Sequence, residues 1–420
     1  MITKFTNALI MTSPVEEIIS GELVIEDNLI KFIGKQYKGK TDNVIDCKGN
    51  LLMAGFINCH THSSMTLLKG ISDSDTLEDW LYKKMNPIEN SLTESDIYTG
   101  TVLAIAEFLK NGITCFQDCY FMPRNIVKAI KDCGIRAVVG LSQNKTLKDY
   151  EAIEDLEKLY LSLKDESELI DYLFYCHSVY TCNETQFFNA IKLAKKYDKM
   201  VATHMSETLT EVGLCTQTHG GMTPVMLLES YGFFDVKCLL AHGVHLQKED
   251  YEILKKYNLS IAHNPSSNLK LGSGIANLKS LKNNNINICL GTDGSASNNK
   301  LDMFREMYLS SVLQKTLLND TTLVTSEEAL SMATINGAKA LNNNKIGSLK
   351  KGNFADIIMI DMHSINNKVC NNIKSNLVYA CGAEDVLMTM VNGKILYENG
   401  KFNVPVINQI ISKNCRLLNK

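Results

Sequence analysis

Two histidines separated by one residue follow the apolar run Leu51, Leu52, Met53 and Ala54. They are His60 and His62, in the segment "GFINCHTHSS". In an extended chain, residues i and i+2 point to the same side, so the two imidazoles would converge on one point. Converging imidazoles suit a divalent transition metal. The tripeptide alone is equally compatible with a pair of partly exposed loop histidines.

The segments that must position these side chains alternate between strands and helices. Helical stretches are predicted at 95–110, 184–196, 248–257 and 303–314, among others. An alternation of this kind predicts an α/β fold, a (β/α)8 TIM barrel. The eight predicted strands span 51–59, 113–118, 135–141, 172–177, 200–204, 238–242, 259–263 and 286–293.

Both ends of the chain have a different pattern, that of short strands joined by turns. The segment "GELVIEDNLIKFIG" predicts a hairpin that turns at Asp27 and Asn28, and Asn392-Gly393 predicts another turn. We expect the two ends to combine into a small β-sandwich domain made of residues 1–54 and 345–420. The barrel would then span residues 55–344.

Most of the remaining histidines fall at the ends of predicted barrel strands. In a TIM barrel these ends open on one face, where barrel enzymes carry out chemistry. Three nitrogens and one carboxylate oxygen there would form a metal site with room for water, and the metal would make hydroxide available near neutral pH. The predicted ligands are His60, His62, His204 and Asp293, and the other strand-end histidines are His177, His242 and His263.

A glutamate follows the predicted ligand His204 by three residues. Glu207, in "ATHMSETLTE", could sit beside the metal without binding it and carry protons between water and substrate. The alternative is an exposed glutamate at the start of a helix, which is also a favourable position.

Composition narrows the class of protein. The chain has 420 residues, of which 45% are hydrophobic and 21% charged, and a net charge of −3. No long basic block is present, so we expect neither a nucleic-acid nor a membrane partner. Thirteen scattered cysteines favour a reducing, cytoplasmic setting. The first twenty residues lack the pattern of a signal peptide, and none is expected.

Several ordered motifs resemble the amidohydrolase superfamily, and within it the methylthioadenosine/S-adenosylhomocysteine deaminases and related aminohydrolases. They are "GFINCHTH", "HMSET", "LLAHGVHL", "IAHNPSSNLKLGSG" and "GTDGSASNN". The resemblance implies one Zn²⁺ or Fe²⁺ on the predicted ligands, and deamination of an adenine ring. Glu207 would protonate the ring nitrogen, His242 would orient the attacking hydroxide, and Asp293 would take the proton of the water.

The resemblance also implies substrate contacts. Glu89, in "MNPIEN", matches a glutamate that binds the ribose hydroxyls, and His177, in "YCHSVYTC", matches a histidine that contacts the purine. His204 would lie beside the substrate as well as on the metal. Trp80, in "LEDWLYKK", resembles the segment that closes over the substrate, although it could equally be a core residue. We expect a small-molecule nucleoside or heterocycle substrate and a homo-oligomer.

One region departs from the family pattern. Relatives that accept S-adenosylhomocysteine tend to carry arginines after the third strand, where they suit a carboxylate. Here the segment is "AVVGLSQNKTLKDY", with Arg136 inside the strand and only Lys145 and Lys148 as substitutes. The sequence therefore favours methylthioadenosine or 5′-deoxyadenosine over S-adenosylhomocysteine.

Three alternatives remain open. The first is an aminohydrolase of another ring, a guanine, pterin or triazine, although such a free base has no diol for Glu89 to bind. The second is a cyclic-amide hydrolase with two metals bridged by a modified lysine, but the fourth strand, in "DYLFYCHSV", has no lysine. The third is a binding or scaffold protein, which would usually have lost metal ligands.

Overall fold

The computed structural model describes residues 1–142 and 156–412. Within these ranges, eight parallel strands form one sheet in sequential order, as the alternating pattern predicts for a TIM barrel. All eight are buried almost throughout, which is typical of parallel strands covered on both faces. We call them barrel strands 1 to 8: Phe56–Thr61, Ile113–Asp118, Arg136–Leu141, Ile170–Tyr175, Met200–Met205, Cys238–His242, Leu259–His263 and Asn287–Leu290.

The first and last barrel strands meet at the carboxyl end of the barrel. The Asp293 amide donates to the His60 carbonyl at 2.9 Å, and the Asn58 side chain donates to the Thr292 hydroxyl at 2.7 Å. Gly291 lies at this junction, where a Cβ atom would come within 2.8 Å of the His60 Cβ atom. A residue without a side chain is therefore needed for this close approach.

Helices alternate with the barrel strands and begin at sequence-encoded caps. Thr93 and Asp96 form a capping box that starts helix Glu94–Lys110, and Asn183 and Gln186 form another. The remaining α-helices are Leu77–Asp79, Asn86–Glu89, Pro123–Cys133, Leu156–Leu163, Glu184–Tyr197, Leu209–Thr218, Pro224–Ser230, Lys248–Leu254, Pro265–Lys270, Leu278–Asn283, Ser295–Asn298, Met303–Leu317, Ser326–Ala333, Ile335–Ala340, Ile373–Tyr379 and Pro405–Ile411.

Shorter helical segments complete the chain path. Trp80–Met85 is π-helical and joins two short α-helices, so that residues 77–89 form one continuous helical segment. The 3₁₀ segments are Ser63–Leu68, Phe233–Asp235 and Ala383–Asp385. None of the described helices has both the length and the apolar character needed to cross a lipid bilayer.

Strands from both chain ends join in a second sheet, as the turn patterns predicted. In the described part of the chain this terminal sheet has nine strands, and both predicted turns connect antiparallel neighbours. The barrel with a terminal β-sheet from both ends is thus confirmed, whereas the exact domain boundaries stay a prediction. The nine strands are Ile2–Met11, Ile19–Glu26, Leu29–Gly34, Asn43–Asp46, Leu51–Ala54, Ile357–Ile360, Val386–Val391, Lys394–Glu398 and Lys401–Phe402.

The predicted strand 51–59 is in fact two strands in two different sheets. Leu51–Ala54 pairs with Ile357–Ile360 in the terminal sheet, whereas Phe56–Thr61 begins the barrel. Gly55 divides them, since a Cβ there would lie 2.1 Å from the Thr114 side chain. An apolar run does not reveal that its two halves pair with different partners.

A buried ion pair joins the barrel to the terminal sheet. The guanidinium of Arg136, on barrel strand 3, donates to both carboxylate oxygens of Asp356, at 2.7 and 3.2 Å. The backbone N–H of Asn392 donates to the same carboxylate at 2.7 Å. Both charged side chains are almost fully buried. Arg136 therefore links the barrel sheet to the terminal sheet.

We predict that Asp356→Asn lowers the free energy of unfolding by about 3–5 kcal/mol, because it leaves the Arg136 charge buried without a counter-charge. The matched control is Asp235→Asn, which breaks the half-exposed pair of Lys195 and Asp235 and should cost less than about 1 kcal/mol. Urea unfolding of both variants measures the difference. Equal losses for the two would contradict a special role for the buried pair.

Candidate metal centre and substrate cavity

Three histidines from two barrel strands converge at the carboxyl end of the barrel. Ligand-capable atoms of His60, His62 and His204 lie within 4.8 Å of one another, and all three side chains are buried. His60 lies on barrel strand 1 and His204 on barrel strand 5, while His62 follows strand 1 directly. The alternation of His60 and His62 and the strand-end position of His204 predicted this cluster.

Main-chain carbonyls orient two of these imidazoles. Nδ1 of His62 is hydrogen-bonded to the Cys119 carbonyl. Nδ1 of His204 is hydrogen-bonded to the His177 carbonyl at 2.7 Å and lies 3.0 Å from the Tyr175 hydroxyl. A carbonyl can only accept, so each Nδ1 carries a proton and Nε2 is the nitrogen left to bind a metal. This is the ring orientation that a metal ligand requires.

Asp293 completes the cluster from the loop after barrel strand 8. Its Oδ1 lies 3.3 Å from Nε2 of His62 and 3.6 Å from Nε2 of His60. Its Oδ2 accepts hydrogen bonds from two buried hydroxyls, Ser267 at 2.5 Å and Ser297 at 3.1 Å. The two serines hold one oxygen so that the other faces the histidines.

The ionisation of these groups favours a bound cation. Burial lowers the pKa of His60 and of His204 well below the usual value, so both are neutral. Burial acts to raise the pKa of Asp293, but the hydrogen bond and charge of His62 outweigh it and hold that pKa well below its usual range. Burial also acts to lower the pKa of His62, but the hydrogen bond and charge of Asp293 outweigh it and raise that pKa to about 8. The cluster therefore pairs the Asp293 carboxylate with a positive charge on His62, a place that a bound cation would take.

The donor set fits a divalent metal. Imidazole nitrogens with a carboxylate oxygen are the ligands of catalytic zinc sites. Nε2 of His60 is buried and, within the ranges 1–142 and 156–412, has no hydrogen-bond partner. A buried polar atom in this state is costly unless something else binds it.

Glu207 lies beside the cluster in a strained turn. Ser206, which precedes it, has a φ of +51°, in the left-handed region that non-glycine residues seldom adopt. Two residues at other strand ends of the site also have positive φ, His242 at +77° and Asp293 at +57°. Glu207 is buried and precedes the helix that Thr208 caps, so it is not an exposed helix-start glutamate. Its Oε1 accepts from the Ser273 hydroxyl at 3.1 Å.

His242 presents an N–H group toward this carboxylate. Its Nδ1 accepts from the side-chain amide of Asn268 at 2.8 Å. The ring proton therefore lies on Nε2, which is 3.6 Å from Oε2 of Glu207. Burial lowers the pKa of His242, which keeps the ring neutral. A neutral imidazole with its proton on Nε2 can donate to an oxygen in the cavity.

A cavity of about 890 Å³, including the space at its open mouth, extends from the histidine cluster to the segment 77–89. Every residue that the sequence singled out for substrate binding lines it: Trp80, Glu89, His177 and His204. Nδ1 of His177 is hydrogen-bonded to the Thr181 hydroxyl at 2.8 Å. Trp80 is almost fully buried in the wall of the cavity, and its role stays a prediction.

Glu89 is buried, not solvated, and is paired with a residue that the sequence did not reveal. The Tyr120 hydroxyl donates to Oε1 of Glu89 at 2.5 Å. Burial raises the pKa of the Glu89 carboxyl, and the Tyr120 hydrogen bond opposes that rise. Burial and the nearby Glu89 raise the pKa of Tyr120 well above its usual value, so the phenol keeps its proton.

Other supporting residues were also missed. Glu211 accepts the backbone N–H groups of Ser206 and Glu207, at 3.0 and 2.6 Å, and burial raises its pKa to about 7. The position of Glu211 four residues after Glu207 is the only sequence signal for it. His263 is a strand-end histidine that lies outside both the histidine cluster and the cavity lining.

Comparison with known proteins places this site in a family. The model of the amidohydrolase family matches residues 51–396. The chain belongs to the amidohydrolase family. Amidohydrolases are hydrolases, and this membership together with the histidine cluster supports a divalent metal at the site.

Two relatives of this amidohydrolase are named for nucleoside substrates. A 5-methylthioadenosine/S-adenosylhomocysteine deaminase of Thermococcus sibiricus is 39% identical over 384 residues, covering 90% of each chain. A 5′-deoxyadenosine deaminase of Methanocaldococcus jannaschii is 37% identical over 396 residues, covering 90% of this chain and 91% of the relative. Among solved structures, an adenosine deaminase of Xanthomonas campestris with bound zinc is 28% identical, with a TM-score of 0.90 and coverage of 98% and 97%.

We predict that the purified amidohydrolase contains one divalent metal ion per chain and that His204→Ala loses it. Removing one of three nitrogen ligands leaves too few donors for tight binding. Elemental analysis measures the content, and His363→Ala, at an exposed histidine outside the cluster, is the control that should retain the metal. Two ions per chain, or full metal in His204→Ala, would contradict the assignment.

Proposed function

We propose that this amidohydrolase is a metal-dependent hydrolytic deaminase of adenine nucleosides. The observation that carries the proposal is that one cavity holds the histidine cluster at its base and the buried carboxylate of Glu89 in its wall. A buried anionic acceptor suits a vicinal diol, which has two hydroxyl donors. The names of the relatives agree with this reading.

The reaction replaces the exocyclic amino group of the ring with oxygen. Water adds to C6, one of its protons passes to the adjacent ring nitrogen N1, and the amino group leaves as ammonia with the other. We propose that His60, His62, His204 and Asp293 hold the metal, with zinc the expected ion because the Xanthomonas campestris relative binds it. When bound, a divalent metal lowers the pKa of water so that a nucleophile is available near neutral pH.

Different side chains around the cluster carry out the different proton transfers. Asp293 takes a proton from the attacking water, since its carboxylate is held ionised at the base of the cavity. Glu207 delivers a proton to N1. The Nε2–H of His242 donates to the oxygen as charge develops on it, while His177 contacts the purine from the rim.

We predict that Glu207→Gln keeps the full metal content and loses at least ~10²-fold in kcat, because glutamine fills the same space but cannot carry a proton. Glu184→Gln is the matched control, since Glu184 is an exposed glutamate in the first turn of a helix. Steady-state kinetics with metal analysis of each variant give the result. Near-normal turnover by Glu207→Gln would refute the assignment.

The walls of the cavity favour a substrate with a neutral 5′ substituent. Among the described residues that line the cavity, none is a lysine or an arginine. Arg136 lies at the amino end of barrel strand 3, outside the cavity lining, and is paired with Asp356. Lys145 and Lys148 lie outside the described residues. A substrate with an amino-acid tail would therefore bring a carboxylate without a fixed guanidinium partner.

We predict that kcat/KM for methylthioadenosine or 5′-deoxyadenosine exceeds that for S-adenosylhomocysteine by at least ~10-fold, which is about 1.4 kcal/mol of transition-state binding. The measurement is ammonia release from one metal-loaded preparation, with adenosine, guanine and pterins in the same series. Equal or faster turnover of S-adenosylhomocysteine would make this preference wrong and would implicate Lys145 or Lys148. Turnover of guanine or pterins alone would overturn the proposed function.

A further inference from the structure

The hydrogen bond between Tyr120 and Glu89 lies inside the substrate cavity. Both side chains line the cavity and both are more than nine-tenths buried. The phenol donates to Oε1 of the carboxylate at 2.5 Å. A hydrogen bond to a charged acceptor in a buried site is stronger than one between neutral groups. The orientation of Glu89 is thus fixed by a partner other than the substrate.

Glu89 needs such a partner because its own element does not belong to the barrel. It ends the short helix Asn86–Glu89, the last part of the helical segment 77–89. Short helices at the mouth of a barrel have few backbone hydrogen bonds of their own to fix a side chain. Tyr120, in contrast, lies two residues after the end of barrel strand 2. The hydrogen bond therefore ties the helical segment 77–89 to the end of a barrel strand.

The tripeptide that carries Tyr120 also holds one of the proposed metal ligands, His62. The carboxylate of Asp118 accepts from the backbone and the hydroxyl of Ser63, both at 2.8 Å. The carbonyl of Cys119 accepts from His62. Three successive residues thus fix the loop after the histidine pair, one ligand ring and the Glu89 carboxylate. This one stretch of backbone therefore connects the histidine cluster to Glu89.

We propose that Tyr120 is a positioning residue that determines specificity for a 2′,3′-diol. It holds Oε1 of Glu89 so that the remaining oxygen accepts from the ribose hydroxyls at a fixed distance from the metal site. The inference rests on the proposed function, because it concerns how the same cavity recognises ribose. Tyr120 acts through Glu89 and takes no part in the proton transfers.

The proposal predicts which kinetic constant changes. The ribose hydroxyls make the same contacts in the bound substrate and in the transition state, since the reaction occurs at C6 of the ring. Loss of such a contact raises KM and leaves kcat nearly unchanged. A general loss of fold or of metal would instead lower kcat for every substrate.

The test compares Tyr120→Phe with the unaltered enzyme on adenosine and on 2′,3′-dideoxyadenosine, which lacks both hydroxyls. We expect kcat/KM for adenosine to fall at least ~10-fold, the scale of a hydrogen bond to a charged group, mainly through KM. The value for the dideoxy compound should change less than about 3-fold, since that compound does not use Glu89. In a Glu89→Ala background, Tyr120→Phe should add no further loss for adenosine.

The matched control is Tyr172→Phe, which removes another buried phenol hydroxyl. Tyr172 donates to the Leu163 carbonyl at 2.7 Å and lies outside the cavity lining. It should leave the ratio between the two nucleosides unchanged even if it lowers stability. Metal content and thermal unfolding of each variant accompany the kinetics.

The possible failures can be told apart. Equal losses for adenosine and the dideoxy compound in Tyr120→Phe, or no loss for adenosine, would overturn the role of Tyr120 while leaving the deaminase proposal intact. A further loss in the Glu89→Ala background would show that Tyr120 acts independently of Glu89. An unaltered, metal-loaded enzyme that releases ammonia from none of adenosine, methylthioadenosine and 5′-deoxyadenosine would overturn the proposed function and this inference with it.

Discussion

The junction between the first and last barrel strands is the constraint on which the site depends. One backbone hydrogen bond, from the Asp293 amide to the His60 carbonyl, places the only carboxylate of the proposed ligand set beside the histidine pair. These residues are more than 230 positions apart in the chain, so local sequence cannot bring them together. The eight sequential parallel strands do so by bringing the last strand back to the first.

Hydrogen bonds from neighbouring buried groups hold the carboxylate and the turn on which this arrangement depends. Oδ2 of Asp293 is held by two serine hydroxyls, and the turn before Glu207 is held by the buried Glu211 carboxylate. Three residues of the site adopt left-handed backbone conformations. Such strain persists only where the surrounding structure over-determines it, and the hydrogen bonds around these turns provide that support.

The sequence predicts the site residues better than it predicts what supports them. His60, His62 and His204 are visible because spacing and strand-end position together imply convergence, and the barrel follows from alternating patterns. Tyr120 and Ser267 are not visible, because each acts on a residue at least 26 positions away that no periodicity connects to it. The segment 51–59 was predicted as one strand for a similar reason, since which sheet each half joins is a tertiary property.

Main-chain carbonyls orient two of the clustered histidines, and this separates the orientation of the imidazoles from the lining of the cavity. His62 and His204 are held by the carbonyls of Cys119 and His177, and those same two residues line the cavity. A substitution at 119 or 177 changes the surface offered to the substrate but keeps the carbonyl. The shape of the cavity and the orientation of the two imidazoles therefore depend on different atoms of the same residues.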